Sequence, residues 1–167
     1  MKLFSLQRRQ LLPVPAEDAW AFFVNPANLP LITPPDLGFR ITSPLPERMY
    51  AGMIVSYTVT PFAGLPVTRV TEITHLEEPF FFVDEQRLGP YRFWHHQHLF
   101  RPVPAGTEMT DLVHYALPLG PLGLLAAPLV QARLEAIFAW RRAALAARFG
   151  SAEQAERLEN EVEKIRC

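Results

Sequence analysis

The stretch Arg92–Leu117, RFWHHQHLFRPVPAGTEMTDLVHYAL, holds two strand patterns around one turn. Side chains alternate across a strand, so Trp94, His96, His98 and Phe100 share one face, and Phe93, His95, Gln97 and Leu99 share the other. In the second run Met109, Asp111, Val113, Tyr115 and Leu117 share a face, opposite Thr110, Leu112 and His114. The turn at Pro104-Ala105-Gly106 predicts a register that sets Phe100 against Met109. His98 then meets Asp111, His96 meets Val113 and Trp94 meets Tyr115. Upstream, the turn at Gly89-Pro90-Tyr91 sets Asp84 against His96 and Gln86 against Trp94. A slip of one residue would send each of these side chains to the opposite face.

This hairpin belongs to a longer run of strands. Phe39–Thr42, Met53–Thr60, Val67–Leu76, Phe80–Leu88, Arg92–Arg101 and Glu108–Leu117 are strand-like and separated by Gly-, Pro- or acid-rich turns. Six consecutive strands with no helix between them pair antiparallel, as a meander. Before them, Phe4–Leu12 reads as another strand. Pro15-Ala16-Glu17-Asp18 then opens a helix, with proline and acids in the first turn. Ala19, Trp20, Phe22 and Phe23 form its apolar, core-directed face, and Asn25-Pro26 ends it. A second helical turn covers Ala27–Ile32. After the strands, the spacing predicts a long helix over Leu129–Phe149, capped by Gly150. Two stripes run along it at helical spacing. One is alanine-rich (Leu129, Ala132, Ala136, Ala139, Ala143, Ala147) and the other bulky (Leu134, Phe138, Leu145, Phe149). The alanine stripe either lets the helix approach a sheet, leaving room beneath it, or simply reflects helix propensity. Residues 151–167 are charged and form a helical extension or a frayed tail.

The chain has 167 residues, 49% hydrophobic and 20% charged, with a formal net charge of −1. That suits one globular domain over residues 1–150 and supplies no basic excess for nucleic acid. A single cysteine, Cys167, excludes an intramolecular disulfide and a cysteine-based zinc site. The N-terminus lacks the apolar core of a signal peptide, and no uninterrupted apolar run is long enough to span a bilayer. The expectation is a soluble cytoplasmic protein.

Strand, two short helices, six antiparallel strands and a long last helix is the helix-grip order: an α+β fold whose curved seven-stranded antiparallel sheet wraps the C-terminal helix and encloses a pocket. The chain resembles the START-like, or SRPBCC, superfamily, which includes polyketide cyclases and dehydratases, lipid-transfer domains and plant pollen-allergen-type proteins. The segments DEQRLGPYRFWHHQHLF (84–100) and GTEMTDLVHYALPLGPLG (106–123) resemble a bacterial ligand-binding branch. PAEDAWAFFVNPANLPLITPP (15–35) is similar to the superfamily's N-terminal helix pair. The resemblance covers residues 1–150 and implies a fold, without a fixed catalytic set.

Three functions follow as expectations. The first is binding of a small, mostly hydrophobic molecule between the sheet and the last helix. Phe82, Trp94, Phe100, Met109, Val113 and Tyr115, with Ala136 and Trp140 from the helix, would supply contact. Asp84, Gln86, His96, His98 and Asp111 would orient a polar end. The second is a cyclase- or dehydratase-like enzyme with His96 or His98 as general base and Asp111 as its orienting partner. The third is a protein-interaction module, as in chaperone-stimulating relatives, using an outer apolar patch of Phe81, Val83, Phe93 and Leu99; a homodimer would use the same patch. A structural His–Asp pair satisfies the same pattern. His96 and His98 at i, i+2 could also share one zinc with Asp84 or Asp111, but nothing else in the sequence supports a metal, and the expectation is no metal and no cofactor. One of Arg141 and Arg142, at most, is expected to turn inward.

Overall fold

The computed structural model describes residues 2–61 and 64–151; the expected C-terminal extension, from 152 onward, lies outside them. Seven strands form one antiparallel sheet: β1 (Phe4–Leu12), β2 (Arg40–Ile41), β3 (Ile54–Val59), β4 (Val67–Glu77), β5 (Phe81–Leu88), β6 (Phe93–Val103) and β7 (Gly106–Ala116). Their order across the sheet is β1-β7-β6-β5-β4-β3-β2. The meander therefore runs unbroken from β2 to β7, and β1 returns to the free edge of β7. Between β1 and β2 lie helix α1 (Ala16–Phe23) and two 3₁₀ turns, Pro26–Ile32 and Pro35–Leu37. After β7 come a short helix, α2 (Pro121–Leu125), and the long α3 (Ala127–Phe149). This is the helix-grip fold.

Local chemistry accounts for the boundaries. The carboxylates of Glu17 and Asp18 sit in the first turn of α1, where the helix dipole favours them. The Asn25 side chain accepts the Ala27 amide at 3.0 Å and caps the first 3₁₀ turn. Proline at the starts of both turns, and Pro30 within the first, keep this segment 3₁₀ where a plain helical turn was expected. Gly150 ends α3, its amide on the Ala146 carbonyl at 2.9 Å.

The β6–β7 hairpin has the predicted register. Phe100 faces Met109, His98 faces Asp111, His96 faces Val113 and Trp94 faces Tyr115. Gly106 takes φ +127°, and a Cβ there would stand 2.2 Å from the Leu12 carbonyl oxygen. That close approach lets Thr107, wholly buried, donate its hydroxyl to the Val14 carbonyl at 2.8 Å. The hairpin tip is thereby pinned to the chain entering α1.

Helix α3 corrects one reading. Val130, Leu134, Phe138, Arg141 and Leu145 face the sheet, whereas Ala132, Ala136, Ala139, Ala143 and Ala147 are exposed. Both stripes have helical spacing, and the bulky one removes more apolar area from water. The alanines thus reflect helix propensity. The outer sheet face corrects another: Val83 is buried and Phe81 and Leu99 are half-buried, so of the four residues expected to form a patch only Phe93 is exposed.

Candidate functional site

Three buried side chains, His96, His98 and Asp111, and the half-buried Asp84 come from three strands and close into a ring. Asp84 stands opposite His96 in the β5–β6 ladder, as the turn at Gly89 predicted. Its Oδ2 lies 3.2 Å from His96 Nδ1 and 2.8 Å from His98 Nε2. Across the ring, Asp111 Oδ1 lies 3.0 Å from both His96 Nε2 and His98 Nδ1. Every imidazole nitrogen therefore faces a carboxylate. The two histidine rings are 3.8 Å apart between centroids, and Phe82 stacks on His98 at 4.1 Å.

Two cations and an indole fix the carboxylates from outside. Arg141 reaches inward from α3, with Nη2 3.5 Å from Asp111 Oδ1 and 3.4 Å from His98 Nδ1. Trp94 Nε1 donates to Asp84 Oδ1 at 3.3 Å. Arg69, from β4, lies 3.9 Å from the same oxygen, with its guanidinium 4.4 Å over the Trp94 ring. The Nε groups of Arg69 and Arg141 are buried without a hydrogen-bond partner among the described residues.

Electrostatics follow from this packing. Burial pushes both aspartates up, but their cationic neighbours outweigh it: His96 and His98 hold Asp84, and Arg141 with both histidines holds Asp111, well below the usual carboxylate range. Burial works against a charged His96, yet the two carboxylates raise it above an ordinary histidine. His98 is lowered, by burial and by the neighbouring charge on His96.

Asp84, His96 and His98 form part of one wall of a half-open cavity of about 210 Å³. Phe22 and Phe23 of α1, Met53 just before β3, Val55 and Tyr57 of β3, and Leu134, Ile137 and Phe138 of α3 line the apolar remainder. The polar corner is Asp84, His96, His98, Arg69, Thr71 and Arg141. A volume below the roughly 300–1,000 Å³ of drug-sized sites suits a compact occupant.

The sequence-predicted residues divide. Phe82, Asp84, Trp94, His96 and His98 line the cavity. Asp111 stands behind the histidines. Phe100, Met109, Val113 and Tyr115 lie on the expected face but pack into the core, at 0–3% exposure. Phe100, for instance, lies edge-on to Trp20 and tilted against Phe23, while Tyr115 stacks on Phe4. Gln86 is not at the cavity: it donates to the Tyr91 carbonyl at 2.7 Å and ties the β5–β6 turn. Ala136 is exposed on the far side of α3 and Trp140 is half-buried outside the cavity lining, because the bulky stripe took the inward face. Arg69, Tyr57, Tyr91 and the β3 residues were missed. The signal for Arg69 was present: it alternates with Thr71 and Ile73, both inward, and a charge in such a series marks a polar site on an apolar wall.

A curved antiparallel sheet over a long helix, with a His–Asp ring at the wall of the cavity between them, defines an α+β protein of helix-grip class. No family model and no curated protein sequence matches the chain. Solved structures share its fold. A protein from Rhodobacter sphaeroides is similar at 22% identity and TM-score 0.60, over 86% of this chain and 92% of that one. A protein from Chromobacterium violaceum is similar at 14% identity and TM-score 0.66, over 87% and 97%. Ara h 8.0201, of START/SRPBCC type, is similar at 12% identity and TM-score 0.61, over 87% and 99%. At these identities the likeness is one of fold. Among the described residues no helix is long and apolar enough to cross a membrane.

Proposed function

We propose that the chain is a ligand-binding protein of the bacterial START-like branch related to polyketide cyclases and dehydratases. It holds a small, mostly apolar molecule between the sheet and α3. The observation that carries this reading is the cavity itself: apolar on most sides, with convergent polar groups in one corner, which is how small-molecule sites are commonly built. Trp94, Phe82, Phe138 and Tyr57 supply contact, and the corner of Asp84, His96, His98 and Arg69 orients a polar end. Such a protein acts alone or as a homodimer in the cytoplasm.

The ring geometry favours binding over acid/base catalysis. A general base needs a nitrogen within reach of the substrate proton. Here all four imidazole nitrogens already face carboxylate oxygens at 2.8–3.2 Å. The cyclase-like alternative therefore requires the ring to open before His96 or His98 could accept a proton.

Solvent extraction of the purified protein, with mass spectrometry of the extract, identifies the molecule. Rebinding can be followed by tryptophan fluorescence. Trp94→Phe, which keeps a ring but loses area and the indole N–H, should weaken rebinding, and Trp94→Ala should weaken it by about tenfold or more. Unchanged affinity in Trp94→Ala would contradict the reading.

A further inference from the structure

We propose that Asp84, His96 and His98 form a binding site for one divalent transition-metal ion, with Asp111 as the group that orients both histidines. The site stands on the ring geometry alone and does not depend on what fills the rest of the cavity. It departs from the expectation, drawn from sequence, that the chain takes no metal.

The donor atoms already converge. Asp84 Oδ2, His96 Nδ1 and His98 Nε2 all lie within 4.8 Å of one another, with the carboxylate oxygen 3.2 and 2.8 Å from the two nitrogens. Ligands about 2.0–2.2 Å from a tetrahedral ion stand about 3.3–3.6 Å apart, so an ion would open the 3.2 Å contact by about 0.1–0.4 Å and the 2.8 Å contact by about 0.5–0.8 Å. Asp84 is set for one-oxygen ligation, because Trp94 Nε1 and Arg69 occupy the side of its other oxygen, Oδ1.

The second half of the argument is the far side of each ring. Metal-bound histidines characteristically donate their other N–H to a carboxylate, which fixes tautomer and orientation. His96 Nε2 and His98 Nδ1 both point at Asp111 Oδ1, at 3.0 Å each. Asp111 is only 6% exposed, and Arg141 reaches it from α3. With those N–H groups donated to Asp111, His96 Nδ1 and His98 Nε2 would each offer a lone pair to an ion lying beside Asp84 Oδ2. One dication satisfies all three at once.

Donor type narrows the ion. Two imidazole nitrogens and one carboxylate oxygen, without thiolate, suit zinc or a neighbouring first-row dication rather than calcium or magnesium. Asp84 and Asp111 offset Arg69 and Arg141 in charge, which leaves the ion's own charge for a further ligand. Since Asp84, His96 and His98 all line the cavity, the open coordination position faces it. The occupant it fits is an anionic oxygen, from hydroxide or from an acidic group on a cavity ligand.

The test uses the full chain, stripped with chelator and titrated with zinc chloride alone by calorimetry, with native mass spectrometry for stoichiometry. One zinc per chain is expected. Asp84→Asn and His98→Ala should each weaken uptake by more than tenfold, and Asp111→Asn by about 10–100-fold with the ligands intact. Should those variants fail to fold, wild-type protein loaded with cobalt(II) gives the reading by itself: a visible absorption band of tetrahedral nitrogen–oxygen ligation is expected. No zinc uptake, uptake unaltered in folded Asp84→Asn and His98→Ala, or a cobalt spectrum of hexa-aqua type would each overturn the site. None of these outcomes bears on whether an organic molecule is extracted from the cavity.

Discussion

Arg141 and Arg142 are neighbours on α3 with opposite surroundings. Arg141 is 8% exposed and faces Asp111, while Arg142 lies in solvent. Removing one partner of a buried pair leaves an uncompensated charge, so Arg141→Met should cost about 3–5 kcal/mol of stability. Arg142→Met should fall within about 0.5 kcal/mol of wild type. Urea denaturation of both variants checks this, and equal midpoints would contradict the inward placement of Arg141. Tyr91 offers a second test at this scale. Burial, partly opposed by Arg69, raises its phenol to about 12. A raised folded-state value means that its contribution is complete below the ordinary tyrosine value of about 10 and is lost as pH rises through about 12. Absorbance at 295 nm should therefore show a late ionisation that Tyr91→Phe removes.

The β6–β7 hairpin is the element on which the site depends, because it carries three of the four ring residues. Its tip tolerates no side chain at Gly106, where a Cβ would press on the Leu12 carbonyl. Gly106→Ala should destabilise by about 1–3 kcal/mol or more, measured as a lowered urea midpoint. The hairpin was also the most legible part of the sequence. Alternation sets which residues share a face, the short Pro104-Ala105 connection sets the pairing, and so the His–Asp apposition is legible in the sequence. Depth could not be read in this way. Phe100, Met109, Val113 and Tyr115 share the face of the histidines, yet helix packing decides which of them meet the cavity and which are covered. Alternation likewise predicted the two opposite pairs, Asp84 with His96 and His98 with Asp111. The diagonal contacts that close the ring depend on side-chain rotamers. On α3 two stripes had equal periodicity, and only the apolar area buried separates them. As a consequence Ala136→Gly should cost about 1 kcal/mol through helix propensity and leave ligand affinity unchanged.

In the whole molecule, the cavity lies where two core clusters meet. One joins α1 with β3 and the inner faces of Phe82, Phe100 and Met109. The other joins β1 and β7 with Trp94, Leu134 and Phe138. Residues of both clusters line the cavity, so an occupant would bridge them and bind the folded chain in preference to the unfolded one. A ligand present at about 100 times its dissociation constant should then add about 2.7 kcal/mol to stability, seen as a raised melting temperature. The most direct test of a ligand-holding cavity is native mass spectrometry of the protein as purified, beside the cavity-filling variant Ile137→Trp. The wild-type chain should carry one organic mass and the folded variant should carry none. Identical spectra from the two, both bare or both loaded, would contradict it.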